Sequence, residues 1–289
     1  MLRRLVAPAV AAATVALVAG CATPPVADPS VVPVMPVAMT LTTEHPVTVL
    51  DDGDGAELCL GMVLTSLPPQ CGGPKLVDWD WSQHSGEYTE QSGVRWGEFI
   101  VAGFYDADAG TFTPTQVVSG EGYQWPTHDP VDFSSPCAAP AGGWQVLDDA
   151  KTTRESMDAG LRRAEQLPGY AGAWVDQSPN RSNDEMAMND PMLTILNIRV
   201  SDDIPAAEAA LREVWGGMLC VSAAERTQAE LSAIQAALPT EHTLMAGIDT
   251  MRGTVELQVI YDDGTLQAEM DAAHGPGTVR VSSALVPAA

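Results

Sequence analysis

The sequence predicts a multidomain protein in which a small antiparallel β-barrel precedes an α+β domain with an internally duplicated helix–hairpin–helix–strand unit. Short alternating apolar runs separated by Gly- and Asp-rich turns fill residues 40–118, a spacing typical of small barrels and sandwiches. Residues 151–289 alternate helical and strand patterns twice in the same order, which favours sheets with helices packed on one face. A Gly- and Pro-rich linker at residues 119–150 separates the two patterns.

The N-terminal residues have the pattern of an export signal. Two arginines precede an apolar run over residues 5–18, and the small residues Ala19 and Gly20 then lead into Cys21. Because a membrane-spanning helix needs about 20 apolar residues, this run is too short to span the membrane in the mature protein. We therefore predict that residues 1–20 are a secretory signal peptide.

The Val-Ala-Gly-Cys sequence that ends at Cys21 resembles a bacterial lipobox. The resemblance implies that Cys21 carries a thioether-linked diacylglyceryl group, with fatty acids such as palmitate, and becomes the first residue after cleavage. Two acyl chains hold a protein firmly on a membrane leaflet. The predicted location is the extracytoplasmic face of the cell membrane; the alternative is ordinary cleavage and release, with a cysteine there by chance.

Residues 21–39 are predicted to form a Pro-rich tether between the anchor and the folded body. The segment has almost no charge and too little apolar surface to fold, and its prolines favour an extended chain. If fully extended, the 18 residues after Cys21 would reach roughly 55 Å at about 3.1 Å per residue. The prolines are Pro24, Pro25, Pro29, Pro33 and Pro36.

The chain is strongly acidic, with 38 Asp and Glu against 14 Lys and Arg and a formal net charge of −24. Such a surface repels nucleic acid and anionic lipid headgroups, so we predict no nucleic-acid partner. The membrane contact that we predict is therefore made through acylated Cys21. The net charge gives no indication of the oligomeric state.

The cysteines predict two disulfide bonds. Acylation of Cys21 leaves four of the five cysteines, Cys59, Cys71, Cys137 and Cys220. An even number in an oxidising compartment favours disulfides, and four cysteines allow three pairings. The turn-rich segment between Cys59 and Cys71 favours a local bridge, which leaves Cys137 to pair with Cys220. A metal site is the competing interpretation, but no C-x-x-C motif or nearby histidine pair supports it.

The predicted barrel domain, residues 40–118, consists of short strand-like runs. A hairpin formed by residues 96–105 and 111–113 resembles the closing hairpin of an OB-like barrel. That resemblance carries no binding motif with it. The predicted strands are residues 47–49, 58–64, 77–81, 96–104 and 111–118.

The duplicated unit is predicted from two passages with the same order of elements. Each begins with a capping-box spacing, at residues 152–155 and 222–225, followed by an apolar helical stripe. In the first passage the later elements are strands 171–176 and 193–200, helix 205–215 and strand 218–223. In the second they are strands 244–250 and 255–261, helix 265–273 and strand 278–284.

This order of elements, with short stretches such as residues 171–176, resembles the pro-regions of α-lytic-type and streptogrisin-type serine proteases. The resemblance implies tandem α+β subdomains that assist or inhibit a protease. No protease follows residue 289 in this sequence, so the implied action is in trans. Residues 281–289 would then be the segment inserted into a protease cleft, because an extended strand can add to an exposed sheet edge.

A second resemblance comes from Leu-Cys-Leu-Gly at residues 58–61 and Pro-Pro-Gln-Cys-Gly-Gly-Pro at residues 68–74. This signature is similar to that of a group of uncharacterised actinobacterial secreted lipoproteins. The abundance of Ala, Gly, Pro and Val, with only two lysines, agrees with a high-GC source. The resemblance implies a lipoprotein of the cell envelope but no particular activity.

The sequence contains few candidates for a chemical site. The acidic loop at residues 51–57 lacks the ligand spacing of a calcium-binding loop, which favours a solvated turn. Trp79 and Trp81 flank one residue of a predicted strand, where they form either a ligand platform or, as we prefer, part of the core. The histidines are dispersed and no nucleophile motif is present, so we predict no catalytic residue, cofactor or metal site. They are His45, His84, His128, His242 and His274.

Three functional hypotheses follow, and whether the protein is an enzyme stays open with a preference against. We expect a membrane-anchored extracytoplasmic module that binds a protein or cell-wall partner without catalysis. The alternative is a trans-acting inhibitor or folding helper of a secreted serine protease. The third is a hydrolase whose catalytic residues are dispersed along the sequence.

Overall fold

The computed structural model describes residues 39–127, 129–181, 187–188 and 190–288. The signal peptide, Cys21, His128 and the tether up to residue 38 lie outside these residues. None of the helices in the described residues combines the length and apolar character that a membrane span requires. From Met39 onward the chain forms one compact unit.

Sheet 1 contains all strands of the predicted barrel region together with the last strand of the chain. Its order is β14-β1-β6-β2-β3-β4-β7, and β5 pairs with β6. The strands are β1 (Leu41–Thr43), β2 (Val47–Asp51), β3 (Glu57–Leu58), β4 (Lys75–Leu76), β5 (Thr89–Gln91), β6 (Val94–Asp106), β7 (Thr111–Ser119) and β14 (Leu285–Pro287).

The prediction of a small antiparallel barrel needs correction. Pairing of β6 with β7 closes part of sheet 1 into a ring, but β4 runs parallel to β7, so the sheet is mixed. β3 and β4 have only two residues each and share the single register pair Glu57 and Lys75. The ring is therefore continuous only through very short strands, and it is not a clear barrel.

The core of sheet 1 forms because apolar side chains alternate along its strands. Val49, Leu58, Phe99, Val101 and Phe112 are completely buried. The strand predicted at residues 77–81 is absent, because the chain turns there into a short 3₁₀ helix, Trp81–His84, capped by the Asp80 carboxylate. The C-terminal segment completes this core through Ile260 and Leu285, which pack in the same cluster.

The second half of the chain contains two three-stranded sheets and four helices. In sheet 2, β8 (Tyr170–Asp176) pairs antiparallel and β10 (Met218–Ala223) pairs parallel with β9 (Ile195–Val200). In sheet 3, β11 (Thr243–Asp249) pairs antiparallel and β13 (Val279–Ser283) pairs parallel with β12 (Thr254–Val259). The helices are α1 (Arg154–Glu165), α2 (Ile204–Arg212), α3 (Gln228–Ala237) and α4 (Thr265–His274). A common origin of the two units stays a prediction.

The two capping boxes lie at other residues than the spacing predicted. α1 is capped by Thr153 with Ser156, and α3 by Thr227 with Glu230. Thr152 is buried and donates its hydroxyl to the Asp148 carbonyl, so it is not available as a cap. The second predicted box begins within β10, where the strand ladder holds the backbone extended.

The predicted linker is fixed to sheet 2 rather than free of it. The Ser135 backbone N–H and hydroxyl donate to the buried Asp176 carboxylate at 2.8 and 2.9 Å, and the Trp174 indole donates to the Phe133 carbonyl at 3.1 Å. Cys137 forms its disulfide with Cys220 of β10. The segment thus covers the face of sheet 2 that the helices leave open.

Candidate functional site

Both predicted disulfide pairings are confirmed. Cys59 is bonded to Cys71, 12 residues away, and Cys137 to Cys220, 83 residues away. Two bonds of this kind are consistent with an extracytoplasmic protein, because disulfides persist in oxidising compartments.

The first bond closes a loop, residues 59–71, that projects an apolar surface into solvent. Met62, Leu64 and Leu67 are 74%, 50% and 71% exposed. No charged residue occurs between Leu58 and Pro74, although the whole chain has a net charge of −24. We call residues 59–71 the disulfide loop.

The base of the disulfide loop is anchored in the core of sheet 1. Leu58 and Leu60 are buried, and the Leu58 and Cys59 N–H groups donate to the carbonyls of Pro74 and Thr48 at 3.0 and 2.9 Å. Within the loop, the Leu64 N–H donates to the Gln70 carbonyl at 2.8 Å. The exposed apolar side chains are therefore held by backbone hydrogen bonds as well as by the disulfide.

A cavity of about 450 Å³ lies on one side of the disulfide loop. Gly61 and Met62 line one wall, and Tyr105, His242 and Leu244 line the other. The cavity is mixed in character, since a tyrosine and a histidine face apolar side chains, and such cavities suit side chains of a partner.

The polar wall of this cavity contains one hydrogen bond, between Tyr105 and His242, and a longer contact to Glu241. The Tyr105 hydroxyl lies 3.0 Å from Nδ1 of His242, whose Nε2 is 3.7 Å from the Glu241 carboxylate. Burial raises the pKa of Tyr105, with smaller contributions from the nearby carboxylates of Asp106 and Glu241. His242 has a backbone φ of 57°, in the left-handed region that residues other than glycine seldom adopt. Tyr105 and His242 thus form a polar part of the cavity lining.

A second depression, of about 330 Å³, also borders the loop. Pro68, Pro69 and Gln70 contribute from the loop, and the carboxylate-bearing side chains Asp52 and Glu57 contribute from sheet 1 and its turn. The disulfide loop is thus an exposed ridge that borders two depressions, one of which is also lined by Asp52 and Glu57.

The acidic loop at residues 51–57 has the geometry of a turn. Asp51 accepts hydrogen bonds from the Gly53 N–H and from the Trp81 indole, and Asp52 accepts one from the Asp54 N–H. The described residues contain no group of three or more His, Cys, Asp or Glu side chains arranged to hold a metal ion.

Trp79 and Trp81 do not form an exposed platform. Trp81 is buried and Trp79 half-buried, and both rings pack edge-on or tilted against Phe99. Trp79 also stacks on His84, with ring centroids 4.6 Å apart. The preference for a core role is therefore correct, although Trp81 begins a 3₁₀ helix and Trp79 lies just before it, so neither ring is placed by a strand.

The other described histidines have separate local partners. His45 lies 2.8 Å from the Tyr123 hydroxyl, and His84 lies 3.2 Å from the Glu87 carboxylate. His274 ends α4, where its carbonyl accepts a hydrogen bond from Arg226.

The C-terminal residues are incorporated in two sheets. Val281 lies in β13 of sheet 3, and Leu285–Pro287 pair with β1 of sheet 1. Leu285 is completely buried, and the Ala288 N–H donates to the Thr40 carbonyl. A segment that enters a protease cleft would first have to give up these contacts.

No family model matches the chain, and no curated protein matches it. The sequence indicates the disulfide loop as a turn-rich stretch between two cysteines that are predicted to pair, but it does not indicate which of the apolar side chains are exposed. Tyr105 and His242 are 137 residues apart, and no pattern in the sequence connects them.

Proposed function

We propose that the protein is a lipid-anchored module on the extracytoplasmic face of the membrane that binds a protein partner through the disulfide loop. The observation that carries the proposal is the exposure of Met62, Leu64 and Leu67 on a disulfide-closed, charge-free ridge. The proposed anchor is supported by the resemblance of residues 18–21 to a lipobox, and the two disulfide bonds agree with an extracytoplasmic compartment.

Apolar burial supplies the driving force for such binding. Transfer of an exposed Leu or Met side chain into a partner's pocket contributes about 1.5–3 kcal/mol. Because the loop is already fixed by its disulfide and its internal hydrogen bond, little conformational entropy is lost when it docks. A rigid apolar ridge is therefore better suited to a concave partner than a flexible loop of the same composition.

The charges beside the ridge indicate the chemistry of the partner. Asp52 and Glu57 line the depression next to Pro68 and Pro69, where Glu57 is paired with Lys75 at 3.5 Å, and the protein as a whole is acidic. Like charges across an interface are unfavourable, so we expect an apolar groove with Lys or Arg at its rim. The same charge disfavours insertion of the loop into an anionic lipid surface.

The test uses the acylated, full-length protein in intact cells with a photo-crosslinking residue at position 64. We expect one discrete crosslinked protein, and the yield should fall at least tenfold when Leu67→Ser is added. Leu147→Ser is the matched control, because Leu147 is 69% exposed and lies outside the loop. Crosslinks to lipid alone, or equal yields for the two serine variants, would contradict the proposal.

The anchor is tested separately with Cys21→Ser. Loss of the acylated thiol should move the protein from the membrane fraction into the medium while the disulfide-bonded body stays folded. A membrane-bound Cys21→Ser protein would show that the lipobox assignment is wrong.

The protease-inhibitor hypothesis is placed second. It needs an accessible extended segment, whereas residues 281–287 are paired in β13 and β14. Titration into α-lytic-type proteases tests it, and unchanged peptidase rates at micromolar concentration would exclude it.

A further inference from the structure

Three arginines surround one small cavity in this acidic chain. The cavity has a volume of about 210 Å³ and lies where the chain leaves β10, turns between β11 and β12, and enters β13. The whole sequence contains only 14 basic residues against 38 acidic ones. The arginines are Arg199, Arg226 and Arg252.

Arg199 is the fixed charge of this cavity. Its guanidinium donates to the carbonyls of Thr250, Met251 and Ala223 at 3.2, 2.9 and 3.4 Å. No carboxylate forms an ion pair with it in the part of the chain that the structure describes. Since a guanidinium has five N–H donors, three carbonyl contacts leave donors for a ligand, and the positive charge is not neutralised.

The backbone around the guanidinium groups leaves room for them. A Cβ added at Gly253, where φ is +71°, would lie 2.8 Å from Nη1 of Arg199. At Gly275, where φ is +89°, the added atom would lie 3.5 Å from Nη2 of Arg226. Glycine at residue 253 thus permits both the turn and the close approach of the Arg199 side chain.

The other two arginines are only partly neutralised. Arg226 donates to the His274 carbonyl at 3.1 Å and lies 3.7 Å from Glu225, which also lines the cavity but has a side chain that is 94% exposed. Arg252 pairs with Asp249 and is itself 65% exposed. The pairs with Glu225 and Asp249 leave the charge of Arg199 in excess at the cavity.

We propose that this cavity, the arginine pocket, binds an oxyanion, either a phosphate or a carboxylate group. The guanidinium fork matches the geometry of both groups and bonds them in pairs of hydrogen bonds. A volume of about 210 Å³ is smaller than the roughly 300–1,000 Å³ of a site for a whole drug-sized ligand. The pocket is therefore a site for one anionic group, with the rest of the ligand outside.

The experiment is calorimetric titration of the purified, disulfide-bonded protein with inorganic phosphate in one arm and citrate in the other. We expect binding of at least one anion, weakened as salt is raised, and the stronger arm assigns the chemistry. Arg226→Gln should weaken that binding at least tenfold. The matched control is Arg280→Gln, because Arg280 lies on β13 outside the pocket and is 57% exposed.

Arg199→Lys gives a second test that keeps the positive charge but removes the fork. We expect it to weaken the same binding at least tenfold. If this variant does not fold, Arg226→Gln decides the matter, since the Arg226 guanidinium donates to one carbonyl whereas that of Arg199 donates to three. The proposal is overturned if neither anion binds at millimolar concentration, or if Arg226→Gln binds as tightly as Arg280→Gln.

Discussion

Sheets 2 and 3 have the same strand order and strand directions. Their outer faces, which are turned away from the helices, differ: that of sheet 2 is apolar and covered, and that of sheet 3 is polar and partly exposed. On sheet 2, Ile195, Met218 and Cys220 are buried in a cluster with Cys137 and Trp144 of the segment that crosses it. On sheet 3, the outward residues Glu256 and Arg280 remain partly exposed and pair with each other at 3.8 Å. The difference shows that a sheet topology does not determine whether its second face is apolar; the segment that covers it does.

The helix-facing sides of the two sheets are alike. Leu196, Ile198 and Val200 of β9 are buried against helices, as are Val255 and Leu257 of β12. The two sheets are therefore alike on the face that packs against helices and differ on the opposite face. On the third strand of sheet 2, Cys220 lies beside Asn197 of β9 and forms a disulfide, whereas on the third strand of sheet 3, Arg280 lies beside Glu256 of β12 and carries a surface charge.

The largest expected effect comes from releasing the covering segment. Cys137→Ser with Cys220→Ser should lower the free energy of unfolding by about 2–5 kcal/mol, because the bond closes a long loop and holds the cover. Urea unfolding under oxidising conditions measures it. The matched control, Cys59→Ser with Cys71→Ser, opens a much shorter loop, so we expect its cost to be about 1–2 kcal/mol smaller. An equal loss of unfolding free energy in the two double variants would mean that holding residues 133–144 on sheet 2 adds nothing to stability.

A smaller effect is expected at Asp176, which is 3% exposed and holds the same segment. Burial raises its pKa, but hydrogen bonds from Ser178 and Ser135 outweigh burial and lower it below the usual value of 3.8. A carboxyl with a depressed folded pKa stabilises the fold above its unfolded pKa, and that contribution disappears as the pH falls through the folded pKa.

We therefore expect Asp176→Asn to cost about 1–3 kcal/mol at pH 7 and progressively less below about pH 4. Urea unfolding of both proteins across this pH range measures the difference. Asp249→Asn is the control, because Asp249 ends β11 as Asp176 ends β8 and pairs with the exposed Arg252. A cost at Asp176 that does not change with pH would contradict the assigned role of its charge.

The smallest effect is expected on the open face of sheet 3. Arg280→Ala removes an ion pair whose side chains are 57% and 42% exposed, so the free energy of unfolding should change by less than about 1 kcal/mol. Thermal unfolding at low and high salt measures it. A loss as large as that at Asp176 would show that sheet 3 also has a covered outer face.

Local patterns in the sequence determined the helices, the two paired disulfides and the alternating strands with apolar residues toward the helices. They also include the Val-Ala-Gly-Cys sequence ending at Cys21, whose assignment as a lipobox stays a prediction. These features depend on neighbouring residues, so spacing and residue type are enough to indicate them. The cysteine pairing could be predicted because acylation of Cys21 would leave an even number of cysteines for disulfide bonds.

Only the tertiary structure decided how distant segments meet. The pairing of β14 with β1, the parallel contact of β4 with β7 and the covered face of sheet 2 all join residues far apart in the chain. The same holds for Tyr105 with His242 and for Arg199 with Thr250. Such contacts depend on strand register, loop length and burial over the whole fold. No local repeat of residue types in the sequence indicates them.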